Sequence, residues 1–174
     1  AKTLVGEYNP AGRLPLTFYR STSQLPDFED YSLKGRTYRY FKGTPLFHFG
    51  HGLSYTNFEY GNARLSAPSI KAGETLTVTI PVSNIGARDG EEVVQVYLRR
   101  PGDKEGPSHA LRGFKRVAIA KGNTTDVEIA LSPEDFEWFD TETNTMRQLE
   151  GEYEILYGGT SDVNKLKKTS ITIE

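Results

Sequence analysis

"TLTVTIPV", residues 75–82, decides the fold of this chain. Leu76, Val78, Ile80 and Val82 alternate with Thr75, Thr77, Thr79 and Pro81. That two-residue period belongs to a strand with one buried face and one wet face. Pro81 has no amide hydrogen, so the strand is expected to meet an edge or a bulge there.

The same pattern recurs downstream. After the turn residues 84–90, Glu92–Arg99 reads as a strand, with Val94, Val96 and Leu98 on one side and Val93, Gln95 and Tyr97 on the other. Leu111–Ile119 is a weaker strand, and Val127, Ile129 and Leu131 mark the next. Glu152–Tyr157 and Thr169–Ile173 close the series, with short Gly-, Asn- and Asp-bearing connections suited to hairpins. An internal echo links Ile70, Gly73, Thr75, Val78 and Ile80 to Ile119, Gly122, Thr124, Val127 and Ile129 at identical spacing, which predicts two similar strand entries. Ser132-Pro-Glu-Asp135 predicts one helical turn, capped by Ser132 and pinned to the core by Phe136, Trp138 and Phe139. Short alternating strands over residues 61–174 need a second sheet to bury them. The fold class is therefore all-β, an immunoglobulin- or fibronectin type III-like β-sandwich.

Residues 1–60 are different: rich in Gly, Pro and aromatics and weakly periodic. Leu14–Phe18 is expected to be extended, and Ser21–Gly52 is too irregular to build its own core. This irregular, aromatic-rich N-terminal extension carries Tyr38, Tyr40, Phe41, Phe47, Phe49, His51 and Tyr55. Aromatic side chains serve as anchors between domains, and they also stack on the apolar faces of sugars. Both readings, an interdomain clamp and a sugar-stacking surface, stand at this point.

Several functions find no support in the residues. A net charge of −2 over 174 residues gives no basic field for nucleic acid. The absence of cysteine removes disulfides, thiol catalysis and zinc–thiolate sites. No apolar run reaches membrane-spanning length. His48 and His51 are three apart, but Gly50, Gly52 and Pro45 deny the helix that would aim them at a metal, so packing is expected; the same holds for His109. Asp27, Glu29, Asp30, Glu91, Glu92, Glu134, Asp135, Glu137 and Asp140 are expected to be solvated rather than paired across a cleft. There is no Gly-x-Ser-x-Gly elbow and no dinucleotide fingerprint, and no cofactor or metal is expected.

Three blocks carry a resemblance. Asn9-Pro-Ala-Gly-Arg-Leu-Pro-Leu-Thr-Phe18, Gly35-Arg-Thr-Tyr-Arg-Tyr-Phe41 and Pro45-Leu-Phe-His-Phe-Gly-His-Gly-Leu-Ser-Tyr-Thr56 resemble the C-terminal part of family 3 glycoside hydrolases. Gly90–Tyr97, Leu111–Lys115 and Leu131–Asp135 are similar to that family's fibronectin type III-like domain. The resemblance implies a parent enzyme that is a retaining β-glycosidase, with its nucleophilic Asp and its acid/base Glu in domains upstream of these blocks. It implies residues 1–20 as a remnant of an α/β sandwich domain, 21–60 as an interdomain linker and 61–174 as the fibronectin type III-like domain. The chain is then a non-catalytic C-terminal fragment that braces the catalytic domains, its partners being those domains and, through the parent, plant-polysaccharide oligosaccharides. The Gly-Arg-Thr-Tyr-Arg-Tyr wording leans towards β-xylosidases over β-glucosidases, and the implied location is periplasmic or secreted. The rival expectation is a stand-alone carbohydrate-binding or adhesion module.

Overall fold

A computed structural model describes all 174 residues. Two antiparallel-rich sheets face one another. The first is built on β4, Leu76–Asn84. One edge of β4 is paired by β1 (Phe58–Tyr60) and β2 (Arg64–Leu65), and the other by β7 (Thr124–Leu131). The second sheet runs β3-β11-β10-β5-β6, with β3 Ser69–Ile70, β5 Gly90–Arg99, β6 Ala110–Ile119, β10 Gly151–Gly158 and β11 Lys167–Ile173. A hairpin of β8 (Glu137–Asp140) and β9 (Thr145–Gln148) stands beside them.

The alternation works as read. Leu76, Val78, Ile80 and Val82 are fully buried and meet Val94, Val96 and Leu98 of β5, with Tyr153, Ile155 and Tyr157 of β10, in one core. The two halves of the internal echo are hydrogen-bonded neighbours: Val78 pairs with Ile129 and Ile80 with Val127. Both echo glycines, Gly73 and Gly122, sit at positive φ in the turns that feed these strands. Pro81 also receives its expected irregularity, but on the partner. β1 ends opposite Val82 and β2 begins opposite Thr79, so no strand asks Pro81 for a donor; Gly61 N–H instead donates to the Pro81 carbonyl at 2.8 Å.

The turn after β7 is a 3₁₀ turn, Pro133–Phe136, with a capping box in which Ser132 N–H and Oγ both donate to Asp135 Oδ2. Phe136 and Trp138 are core residues as expected. Phe139 is not: β8 alternates, so Phe139 faces outward and is 51% exposed.

The unexpected layer is on the outside of the second sheet. On β5, Gln95 and Tyr97 point away from the sandwich core, yet both are buried. What covers them is the N-terminal extension. Its regular pieces are a 3₁₀ turn at Thr22–Gln24 and one helical turn, α1, at Thr37–Tyr40. The extended strand expected at Leu14–Phe18 does not form: the chain bends at Pro15 and Leu16, and only Phe18 makes an isolated bridge, to Phe47. Leu14 N–H donates to the His51 carbonyl (2.9 Å), Gly50 N–H to the Leu14 carbonyl (2.8 Å) and Phe18 N–H to the Phe47 carbonyl (2.9 Å).

Candidate functional site

The extension docks on the sandwich through backbone and aromatic contacts that begin at Tyr38. Its ring stacks on Phe49 with centroids 4.5 Å apart and planes 24° from parallel. It also meets the edges of Tyr97 at 5.8 Å and His109 at 5.3 Å. The hydroxyl of Tyr38 accepts from Leu111 N–H at 3.0 Å, and Ser108 N–H donates to the Arg39 carbonyl at 2.7 Å. One turn of helix at 37–40 thus fixes one aromatic ring and two hydrogen bonds, one at the Tyr38 hydroxyl and one at the Arg39 carbonyl, against the start of β6. Phe49 is held at its backbone too, its carbonyl accepting from Ser161 N–H at 2.9 Å.

Gln95 organises the same contact from below. Its Oε1 accepts from the Tyr97 hydroxyl, and its Nε2 donates to the Gly159 carbonyl at 2.8 Å. Gly50 lies directly on it. A Cβ at residue 50 would fall 2.1 Å from Gln95 Oε1, and the backbone there has φ +77°, so both space and conformation require glycine. His109, enclosed by Tyr38 and Tyr97 and bonded through Nδ1 to Ser108 Oγ at 3.0 Å, is 3% exposed. Burial pushes its pKa down to about 4.

A second attachment is ionic. Arg13 Nη2 lies 2.7 Å from Glu92 Oε2, with both side chains largely withdrawn from solvent. The other carboxylate oxygen accepts from the Tyr60 hydroxyl at 3.0 Å. Burial, and then the adjacent Glu92 charge, raise the pKa of that phenol, which keeps it a donor. Gly52 packs on this pair, since a Cβ there would fall 2.2 Å from the Gly12 carbonyl and 2.6 Å from Arg13 Nη1. Glu92 therefore corrects the expectation of a solvated carboxylate. So does Asp140, which is 7% exposed and accepts from Glu142 N–H, Thr143 Oγ1 and Arg147 Nε in the β8–β9 turn; these donors hold its pKa below the usual range.

A third attachment uses Asn9. Its Nδ2 donates to the Asp89 carbonyl (2.9 Å), and its Oδ1 accepts from Tyr55 N–H (2.8 Å) and Ser54 Oγ (3.0 Å). Tyr55 reaches back to donate to the Thr3 carbonyl at 2.8 Å, and Arg88 lies over its ring.

The remaining aromatics part company. Phe41 sets its ring edge-on to Tyr19 at 5.0 Å. Phe47 stacks on His51 at 5.1 Å, and burial followed by the charges of Lys165, Arg13 and His48 lowers the His51 pKa. Tyr40 lines a cleft between the extension and residues 103–108. Tyr38, Tyr40, Phe47 and Phe49 consequently do not share one exposed platform, because Tyr38 and Phe49 occupy each other's faces. His48 Nε2 stands 3.8 Å from Asp162 Oδ2, and no third ligand-type side chain joins them.

The extension also leaves apolar side chains exposed. Leu4 and Leu53 are 88% and 74% exposed, and Val5, Leu16, Phe18 and Phe47 are open as well.

Comparison with known proteins divides the chain along the same line. Residues 1–55 match the glycosyl hydrolase family 3 C-terminal domain, and residues 92–161 match a fibronectin type III-like domain. The chain belongs to glycoside hydrolase family 3. It is 50% identical, over 99% of its length, to a xylan 1,4-β-xylosidase of Xylanibacter ruminicola, of which it covers 20%. It is 36% identical to a β-glucosidase of Rhizobium radiobacter over 90% of this chain and 21% of that one. Among solved structures, a β-glucosidase of Erythrobacter marinus superposes with a TM-score of 0.83 at 35% identity, covering all of this chain and 23% of that one. The family 3 chain thus spans about a fifth to a quarter of the proteins it matches. A periplasmic β-glucosidase of Salmonella typhimurium is 34% identical over 77% of this chain, and no helix here is long and apolar enough to cross a membrane.

Arg13, Glu92, Gln95 and Gly50 were not singled out as a site by sequence. One signal was available for Glu92. It has the same strand parity as Val94, Val96 and Leu98, so a charge there falls on the core side and needs a partner.

Proposed function

We propose that this chain is the bracing, non-catalytic part of a retaining β-glycosidase that acts on plant-polysaccharide oligosaccharides, with β-xylosidase as the favoured specificity. Residues 1–20 complete the α/β body that precedes them, 21–60 connect it to the sandwich, and both catalytic carboxylates lie upstream. The location is periplasmic or secreted. The observation that carries this reading is the double character of residues 1–55. They are bolted to the sandwich by Arg13–Glu92, Asn9 and the Gly50–Gln95 contact. They also leave leucines, a valine and phenylalanines exposed, which fit an apolar neighbour. The 50% identity to a xylan 1,4-β-xylosidase supports the specificity.

The experiment is complementation. The purified chain alone is expected to release nothing from an aryl β-xyloside. The upstream portion of the same protein is expected to gain activity when the chain is added. Leu53→Asp is expected to block that gain while leaving the chain folded. Turnover by the chain alone would overturn the reading.

A further inference from the structure

We propose that the groove between the extension and the β8–β9 hairpin binds carboxylate-bearing oligosaccharides, that is, sugar chains decorated with a uronic acid. The choice of a sugar rests on the glycosidase reading above; the choice of an acidic one rests on the groove itself.

Two clefts make the groove. One of about 830 Å³ runs between Gln24–Pro26 and Arg39–Gly43 on one wall and Asp103–Gly106 on the other. The next, of about 360 Å³, continues to Phe139 and Met146. Arg39, Tyr40 and Glu105 line both, so the two clefts adjoin along these residues. Each volume lies within the ~300–1,000 Å³ typical of ligand sites.

Its charge differs from that of the chain. Lys34, Arg39, Lys42, Lys104 and Arg112 line it against Asp103, Glu105 and Glu137, in a molecule whose net charge is −2. Asp103 is already consumed, since Oδ2 accepts from Trp138 Nε1 and Oδ1 from Glu105 and Gly106 N–H. The arginines are not consumed. The chain's arginine ion pairs use Arg13, Arg64, Arg99, Arg116 and Arg147, and neither Arg39 nor Arg112 is among them.

Arg112 is held for recognition. Its guanidinium lies 5.5 Å over the Trp138 ring, and Nη2 donates to the Glu137 carbonyl at 2.7 Å, while Nε has no acceptor. Burial and then the charge of Arg39 weaken its hold on its proton, against the pull of Asp135, Tyr38 and Glu137. Arg39 and Arg112 line the same cleft, and a carboxylate bound there gives both cations a counter-charge and satisfies fork-shaped donors. Beyond them Tyr40 and the half-exposed pair Phe139 and Met146 offer apolar surface for the C–H faces of the sugar rings. That surface favours a sugar over an acidic peptide.

Calorimetric titration of the intact chain tests this. The probes are xylotriose carrying one glucuronic acid, unsubstituted xylotriose and a glutamate-rich hexapeptide. The acidic sugar is expected to bind about tenfold or more tightly than the neutral one, and to weaken as salt rises. Arg39→Gln, at an exposed position, is expected to erase the preference without moving the melting temperature. The proposal is overturned if folded chain binds neither sugar, binds both equally, prefers the hexapeptide, or keeps its preference in R39Q. Binding is read on this chain with no turnover, so its failure leaves the bracing role to be judged by complementation alone.

Discussion

The guanidinium of Arg13 and the carboxylate of Glu92 meet at 2.7 Å across 79 residues of sequence, one from the segment matching the hydrolase C-terminal domain and one from the segment matching the fibronectin type III-like domain. A buried pair of this kind adds little over an apolar substitute, but removing one member leaves the other charge stranded at a cost of about 3–5 kcal/mol. Arg13→Met alone is therefore expected to destabilise strongly. Arg13→Met with Glu92→Leu is expected to recover much of the loss, and urea unfolding of the two variants reads the difference.

Gly50 tests steric fit at the same junction. Alanine there needs a left-handed backbone and displaces Gln95, which frees the Tyr97 hydroxyl from its acceptor. Strain of this type costs about 1–3 kcal/mol. Gly50→Ala should lower the melting temperature, and Gly50→Ala with Gln95→Ala should regain part of it.

His109 makes stability depend on acidity. Its folded pKa is depressed to about 4, so the neutral ring is what the native state prefers. The contribution is complete above the unfolded value near 6.5 and is lost as pH falls from there through 4. At ~1.4 kcal/mol per unit, the full effect is at most about 3 kcal/mol. His109→Asn is expected to flatten the decline in unfolding free energy between pH 7 and pH 4, measured by denaturant titration at each pH.

Tyr38 and Tyr31 separate anchoring from decoration. Tyr38→Leu removes the stack on Phe49 and the acceptor for Leu111 N–H, and amide exchange in residues 35–52 is expected to accelerate first. Tyr31 is 90% exposed, and Tyr31→Ala is expected to stay within ~0.5 kcal/mol of the parent chain.

The long strands were legible because burial on one side writes a period of two into the sequence, as at Leu76–Val82. Short elements carry too little pattern: three residues at Phe58–Tyr60 or two at Arg64–Leu65 hold no period, and only their pairing with β4 defines them. Phe139 departs from the expectation because it lies three residues past the end of the turn at Phe136, on the outward parity of an alternating strand. The junction was the least legible part. Tyr38 and Phe49 were recognisable as anchors by type, but which ring covers which depends on contacts 50 to 100 residues apart. Glu92 shows the same limit: it was expected to be solvated although its strand parity points to the core, and its partner Arg13 lies in a segment with no periodicity at all.

The hydrogen bonds that join Phe18 to Phe47 also bring the two ends of the intervening excursion side by side. Residues 19–45 are in effect a handle closed at its base and clipped at Tyr38 and Arg39 to the start of β6, with Phe28 and Tyr31 at its most exposed reach. The entropy of closing such a handle grows slowly, by about 0.6 kcal/mol for each doubling of its length. A reporter peptide or a whole foreign module spliced in at Glu29 would lengthen the handle without moving its anchors, which makes this a natural port for engineering the chain around an intact scaffold.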